Sequence, residues 1–147
     1  MKVYFVSEDF PEFGMEYVYA FSNRYDAENF VEKKNHPKHK RKDDPKYGVI
    51  EMELEKDFLD RVYLVYSLVE GYDYDGQLIY SNETILAVFA DVKSARCFLF
   101  EVFEQNPEES NFLGLKEFIG VDKTCSEKAS AVIFKCNYMP NNRTKTQ

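Results

Sequence analysis

The chain contains two copies of one pattern, and this internal repeat constrains the fold more than any other feature. The segment Lys2-Val3-Tyr4-Phe5-Val6 has a counterpart in Arg61-Val62-Tyr63-Leu64-Val65. Phe21, Ala27, Phe30 and Val31 recur 68 positions later as Phe89, Ala95, Phe98 and Leu99, and Val49-Ile50 resembles Val132-Ile133. Because strand-like and helix-like positions return in the same order, the sequence predicts one supersecondary unit used twice.

The first copy reads as a hairpin followed by a helix. Residues 3–6 form a β-branched and aromatic run typical of a strand, and Pro11 and Gly14 mark a turn before the returning strand, residues 17–21. Ser22 or Asn23 can cap a helix from about 24 to 35. We expect this helix to end before Pro37, because proline disfavours helical geometry in the residue that precedes it.

A third strand, residues 49–55, completes the first unit. Its apolar residues alternate with Glu51, Glu53 and Glu55, which predicts a sheet strand with one wet face. If the helix crosses the sheet in the usual right-handed sense, the third strand lies beside the first. The predicted order of each antiparallel sheet is therefore 2-1-3, with a helix packed on one face.

The second copy carries two insertions. Its hairpin is longer and turns at Asp75-Gly76, and its helix, from about 92 to 105, is capped by Asp91. Residues 112–120 have apolar side chains at helical spacing and predict a short added helix, and residues 131–136 predict the last strand. The predicted fold is α+β with two ββαβ repeats, 1–56 and 61–138, related by a pseudo-twofold axis in one globular body. Residues 139–147 predict a flexible tail.

The composition indicates a folded protein with an acidic body. The chain of 147 residues is 44% hydrophobic and has a net charge of −7. Residues 33–42 hold six lysines and arginines and no acid, so the rest of the chain carries −13. An apolar run of about 18 residues and a secretory leader are both missing from the sequence, so we expect a cytoplasmic protein with reduced cysteines and no membrane contact.

Motifs for catalysis, metals or cofactors do not rise above background. His36 and His39, the two histidines, lie among cations that would repel a divalent metal ion. Asp73-x-Asp75-Gly76 resembles a calcium loop only faintly, because its glycine is misplaced. The sequence therefore predicts a protein that is not an enzyme and has no cofactor and no metal.

Two acidic segments are the candidates for binding a partner. Tyr72-Asp73-Tyr74-Asp75 at the tip of the long hairpin could offer exposed tyrosines, which interfaces favour, or the tyrosines could fold back onto their own sheet. The glutamate face of Glu51, Glu53 and Glu55 could mimic a phosphate backbone. Both segments predict a protein partner with a basic surface.

An alternative function uses the basic stretch instead. Lys38, Lys40, Arg41 and Lys42 could close over an anionic small molecule or nucleic acid bound in the groove between the repeats. Nucleic acid is the less favoured ligand, because the acidic body opposes it and the stretch contains no aromatic residue. An unpaired sheet edge at residues 50–54 could also support a homodimer.

Three core patterns carry a resemblance to known sequences. They are Val3-Tyr4-Phe5-Val6, Phe21-Ser22 followed by Ala27, and Ile50-Glu51-Met52-Glu53-Leu54. They resemble a loose group of uncharacterised small bacterial and phage proteins. Together with the small size and acidic surface, the resemblance implies either an immunity-type protein or a phage-encoded inhibitor that acts on a target such as a nucleic-acid enzyme. It implies no site residues.

Overall fold

The computed structural model describes residues 1–36, 41, 43–58, 60–122 and 127–132. The elements in chain order are β1 (Lys2–Phe10), β2 (Gly14–Phe21), α1 (Arg24–Asn35), β3 (Lys46–Glu53), β4 (Arg61–Tyr72), β5 (Leu78–Phe89), α2 (Val92–Gln105), a 3₁₀ turn (Pro107–Phe112), β6 (Leu113–Ile119) and β7 (Ser130–Ala131). The fold is α+β, as predicted, with two antiparallel sheets and two helices.

The two sheets share the arrangement of their first three strands. The first has the order β2-β1-β3, and the second has the order β5-β4-β6-β7. Both hairpins also carry a bulge at the same place in the repeat, since Val18 and Leu86 lack a partner in the register of the neighbouring strand. The pseudo-twofold relation between the halves stays a prediction.

The sheets stack face to face, and this gives the molecule four layers. Val3 and Phe5 of β1 pack against Val62 and Leu64 of β4 in the core between the sheets. The opposite face of β1 packs against α1, and the opposite face of β4 packs against α2. Each sheet therefore buries both faces of its central strand, and neither half could form this core alone.

Both helices begin and end where the sequence predicts. The Asn23 side chain accepts a hydrogen bond from the Asp26 backbone N–H, and the Asp91 side chain accepts one from the Ser94 N–H. Such caps satisfy N–H groups that the first helical turn leaves free. The first helix ends at Asn35, two residues before Pro37.

The predicted helix at residues 112–120 is wrong. Residues 107–112 form a 3₁₀ turn and residues 113–119 form strand β6 beside β4. Leu115 faces α2 and Phe118 faces the other sheet, so both faces of this strand are buried. A strand buried on both faces has no polar alternation, and its apolar residues can fall at helical spacing.

The third strand of the second half is consequently β6 rather than residues 131–136. Within the described residues, the last strand is the short β7, which pairs with the far side of β6. Residues 133–147, including the predicted tail, lie outside the described part of the chain. In the second sheet the position beside β4 that corresponds to Val49-Ile50 is occupied by Leu115-Lys116 of β6.

Candidate functional site

Exposed apolar side chains are concentrated at the ends of the two hairpins. Twelve large hydrophobic side chains are exposed among the described residues, and five of them are scattered. The other seven lie at the ends of the two hairpins, in a region that we call the apolar end: Phe13, Val69, Tyr72, Tyr74, Leu78, Ile79 and Tyr80. They lie on both faces of the longer hairpin, since Tyr72 pairs with Leu78 whereas Tyr80 covers Gly71 on the opposite face. Exposed apolar side chains concentrated in one region of a small protein mark an interaction site more often than isolated residues do.

The predicted partner-binding turn lies within the apolar end. The Asp73 carboxylate accepts hydrogen bonds from the N–H groups of Asp75 and Gln77, which fixes the turn. Tyr74 is fully exposed, and Tyr72 is about half exposed with its hydroxyl donating to Glu70 at 2.7 Å. This hydrogen bond is the main reason that the pKa of Tyr72 is raised. Tyr74 therefore does not fold back onto its own sheet, whereas Tyr72 lies along β4 with its hydroxyl on Glu70 of the same strand.

The predicted glutamate face is largely neutralised. Glu51 contacts Arg24 at 2.5 Å and Lys2 at 3.5 Å, and the hydrogen bond from Arg24 is the main cause of its lowered pKa. Glu53 pairs with the N-terminal ammonium of Met1 at 3.2 Å, whereas Glu55 is exposed. Three cations thus face Glu51 and Glu53 of β3, while Glu55 lies beyond the end of the strand, so this face carries little net charge with which to attract a basic partner.

The charges of the hairpins themselves differ from those of β3. Residues 3–21 and 62–89 contain no lysine or arginine and eight acids, which are Glu8, Asp9, Glu12, Glu16, Glu70, Asp73, Asp75 and Glu83. Within these two segments the charge is of one sign, so the apolar end lies in a largely acidic region, in which Lys116 pairs with Glu83 and Glu16 and Lys46 lies opposite Asp9. Such a region steers the encounter with a partner of the opposite sign.

A buried ion pair fastens the first hairpin to the second sheet. Lys116 Nζ lies 2.5 Å from Glu83 Oε2 and also donates to the Tyr17 carbonyl at 3.0 Å, while Glu83 Oε1 accepts from the Tyr17 N–H at 2.9 Å. Both charged side chains are buried. Burial raises the pKa of Glu83, and the ammonium of Lys116 opposes that rise.

Sequence reasoning missed this pair, although one signal was present. Glu83 is the single charged residue in β5, and the residues on either side of it in the strand are uncharged. A lone charge in such a strand indicates a buried partner, because an unpaired charge is costly in the interior. Lys116 could not be paired with it while residues 112–120 were expected to be helical.

Two cavities lie on either side of the tip of the first hairpin. The larger, about 690 Å³, lies between residues 9–14 and the start of β5. The smaller, about 330 Å³, is lined by Phe10, Phe13, Gly14, Met15, Glu16, Tyr66, Leu68, Ser81 and Glu83. They lie in the predicted groove between the halves, but their described linings contain no lysine or arginine.

The residues of the predicted anion site mostly lie outside the described chain. Lys38, Lys40 and Lys42 lie outside the described residues. Arg41 is described, and its backbone N–H donates to the Asp44 carboxylate at 2.7 Å. Where the structure describes the chain, no three histidine, cysteine or acidic residues are placed to hold a metal ion. The anion-binding alternative stays a prediction for the basic stretch.

Comparison with protein-family models, with curated proteins and with solved structures found no match for this chain. None of the helices in the described residues is both long and apolar enough to cross a membrane.

Proposed function

We propose that this protein is a non-enzymatic binding module that docks its apolar end on a basic segment of another protein. The observation that carries the proposal is the coincidence of two features at one place. Seven of the twelve exposed large hydrophobic side chains of the described residues lie at the hairpin ends, and residues 3–21 and 62–89, which carry them, contain eight acids and no lysine or arginine.

The chemistry of the surface defines the partner. Tyrosines offer large contact areas with few rotatable bonds, so little conformational entropy is lost when they are buried. Tyr72 and Tyr74 are already displayed on a turn that Asp73 fixes, which lowers the cost further. The carboxylates around them favour a partner segment that combines lysine or arginine with apolar residues.

The proposed biological role is that of an inhibitor or immunity-type protein in the cytoplasm, encoded by a phage. Enzymes that act on nucleic acids present basic channels, and an acidic hairpin pair could occupy such a channel. Support for this role comes from the charge distribution and from the resemblance of the core patterns. The apolar end, rather than the neutralised glutamates of β3, would make the contact.

Affinity capture with matched variants tests the proposal. Tagged protein is incubated with a lysate of its native cells at roughly 0.15 M salt, where the Debye length is about 8 Å, with and without nuclease. The test variant is Tyr72→Thr with Leu78→Thr and Ile79→Thr. The control variant changes three exposed side chains elsewhere: Tyr25→Gln, Leu86→Thr and Phe100→Gln.

We expect a stoichiometric protein with the wild type and with the control variant, and its loss with the test variant. Capture should survive nuclease and weaken as salt is raised, because opposite charges are screened. Equal capture by the test and control variants would place the interface elsewhere. Recovery of nucleic acid alone, lost on nuclease treatment, would favour the basic stretch and overturn the proposal.

A further inference from the structure

The outer edge of β3 carries a row of unpaired backbone groups. Among the described residues, no strand lies beside this edge of the first sheet. The Asn35 side chain bonds both the N–H and the carbonyl of Tyr47, at 2.7 and 2.9 Å, so the backbone groups of Tyr47 point away from β1. The register of β3 with β1 has no bulge, so the N–H and carbonyl groups of Val49, Glu51 and Glu53 point the same way.

This edge lacks most of the devices that keep edge strands apart. β3 contains no proline, and Tyr47 at its start is the one position that a side chain of the described residues blocks. The outer edge of β2 differs, because side chains of β5 bond the N–H groups of Met15 and Tyr17. An open edge of this kind is a template for pairing with another strand.

The charges on this edge do not prevent such pairing. Glutamates on two facing edge strands normally repel each other. Here Glu51 pairs with Arg24 and Lys2, and Glu53 pairs with the N-terminal ammonium of Met1. Three cations therefore offset two carboxylates in each copy. In a chain with a net charge of −7, this strip is a place where two copies can meet without strong repulsion.

We infer that two copies of this chain pair antiparallel through their β3 edges, with Glu51 opposite Glu51 of the second copy. In this register Val49 lies opposite Glu53, so each outward N–H and carbonyl of these three residues gains a partner. A shift by two residues in one direction would place Glu53 opposite Tyr47, whose groups Asn35 already holds. The opposite shift would place Val49 opposite residue 55, beyond the end of β3.

The same register brings apolar side chains together. Ile50 is 40% exposed and lies on the face of β3 opposite to Glu51. In the proposed pair it lies opposite Met52 of the second copy, and the twofold axis repeats this contact. Cross-strand apolar pairs of this kind stabilise a sheet. The contact uses none of the residues of the apolar end, so the inference stands apart from the proposed function.

Sedimentation velocity of the intact chain over a concentration series tests the inference. Paired edge strands bury less area than a standard interface, so we expect a reversible monomer–dimer equilibrium with a Kd of roughly 10–100 µM. Ile50→Lys introduces a charge on both sides of the twofold contact and should raise this Kd at least about tenfold. Leu86→Lys makes the same change in β5 at 39% exposure and should leave the Kd unchanged. A chain that stays monomeric throughout, or equal effects of the two variants, would overturn the inference.

Amide hydrogen exchange identifies the strand that pairs. In the dimer the amides of Val49, Glu51 and Glu53 should be protected, and Ile50→Lys should remove this protection. The amides of residues 50 and 52 bond to β1 and should stay protected in both proteins, which also shows that the variant keeps its fold. Fast exchange of the three outward amides in the dimer would place the contact elsewhere and overturn the inference. Protection that persists in the monomer would also overturn it, because the edge would then be covered by the same chain.

Discussion

The β1–β2 hairpin ends on the second sheet, whereas the β4–β5 hairpin ends in exposed tyrosines. The tip of the first is bonded to β5, because the Ser81 N–H donates to the Phe13 carbonyl at 2.9 Å and the Met15 N–H donates to the Asn82 side chain. The tip of the second bonds only within itself among the described residues, through Asp73. Similar strands with similar bulges thus serve two purposes, one structural and one available for binding.

The difference in burial explains the difference in role. The free edge of β2 at Met15 and Tyr17 is covered by side chains of β5, so it cannot pair with another chain. The far part of the longer hairpin lies beyond any covering layer that the structure describes. An insertion that lengthens a hairpin therefore adds exposed surface without adding core.

The largest effect is expected at the ion pair that fastens the first hairpin. Lys116→Met leaves the buried carboxylate of Glu83 without its ammonium, and removing one partner of such a pair costs about 3–5 kcal/mol of unfolding free energy. Urea unfolding at pH 7 measures it. The double variant Lys116→Met with Glu83→Gln should recover much of the loss, because no unpaired charge remains and glutamine can still accept from Tyr17. A single variant as stable as the wild type would contradict the structural role.

The same variant should show a distinct pH dependence. Burial already raises the pKa of Glu83, and loss of Lys116 removes the main opposing influence. A carboxyl whose folded pKa lies above its unfolded value binds protons more tightly in the folded state, so stability falls as pH rises through the folded pKa. Lys116→Met should therefore lose less stability at pH 5 than at pH 7. A loss that grew as pH was lowered would refute this assignment.

The next largest effect on stability is expected when Gly14 is replaced by alanine, and the same replacement at Gly76 should cost less. Gly14 has φ 107°, and a Cβ there would lie 1.9 Å from the Ser81 carbonyl oxygen. Gly14→Ala should cost about 2–4 kcal/mol, from the strained backbone and from the forced separation of the hairpin from β5. Urea unfolding of the variant and the wild type measures this loss of unfolding free energy. A loss below that of Gly76→Ala would show that the contact with β5 is unimportant.

Gly76→Ala is the milder member of this pair. Gly76 has φ 78°, but nothing lies within 4 Å of a Cβ at that position. Only the left-handed backbone is then penalised, at about 1 kcal/mol. Partner capture should weaken if the turn geometry presents Tyr72 and Tyr74, and it should be unaffected if these tyrosines act independently of the turn.

The smallest effect on stability is expected at the apolar end. Tyr74→Ser removes a side chain that contacts solvent, so the free energy of unfolding should change by less than about 0.5 kcal/mol. Binding to the captured partner should nevertheless weaken, because exposed aromatic residues supply much of the energy at interfaces. A stability loss comparable to that of Gly14→Ala would mean that Tyr74 packs against the protein and is not available to a partner.

The helices and the hairpins follow from local signals. Asn23 and Asp91 cap helices because their short side chains reach a nearby backbone N–H, and Pro37 stops α1 for a steric reason that needs no distant contact. The alternation of apolar residues and glutamates in β3 likewise indicates a sheet strand. These features depend on a few neighbouring residues, so the sequence alone predicts them.

Strand β6 and the binding surface depended on contacts between distant parts of the chain. Whether Leu115 and Phe118 belong to a helix or to a strand was decided by the layers on either side of them, which sequence spacing does not reveal. The sequence does not show that Arg24 and Lys2 pair with Glu51. It also does not show that Glu83 pairs with Lys116, which lies 33 residues away in the chain. The sequence by itself determined the helices, the hairpins and the acidic character of the segments that form the hairpins. Only the stacking of the two sheets decided which charges are paired and which apolar side chains remain exposed, because burial is a property of the assembled layers.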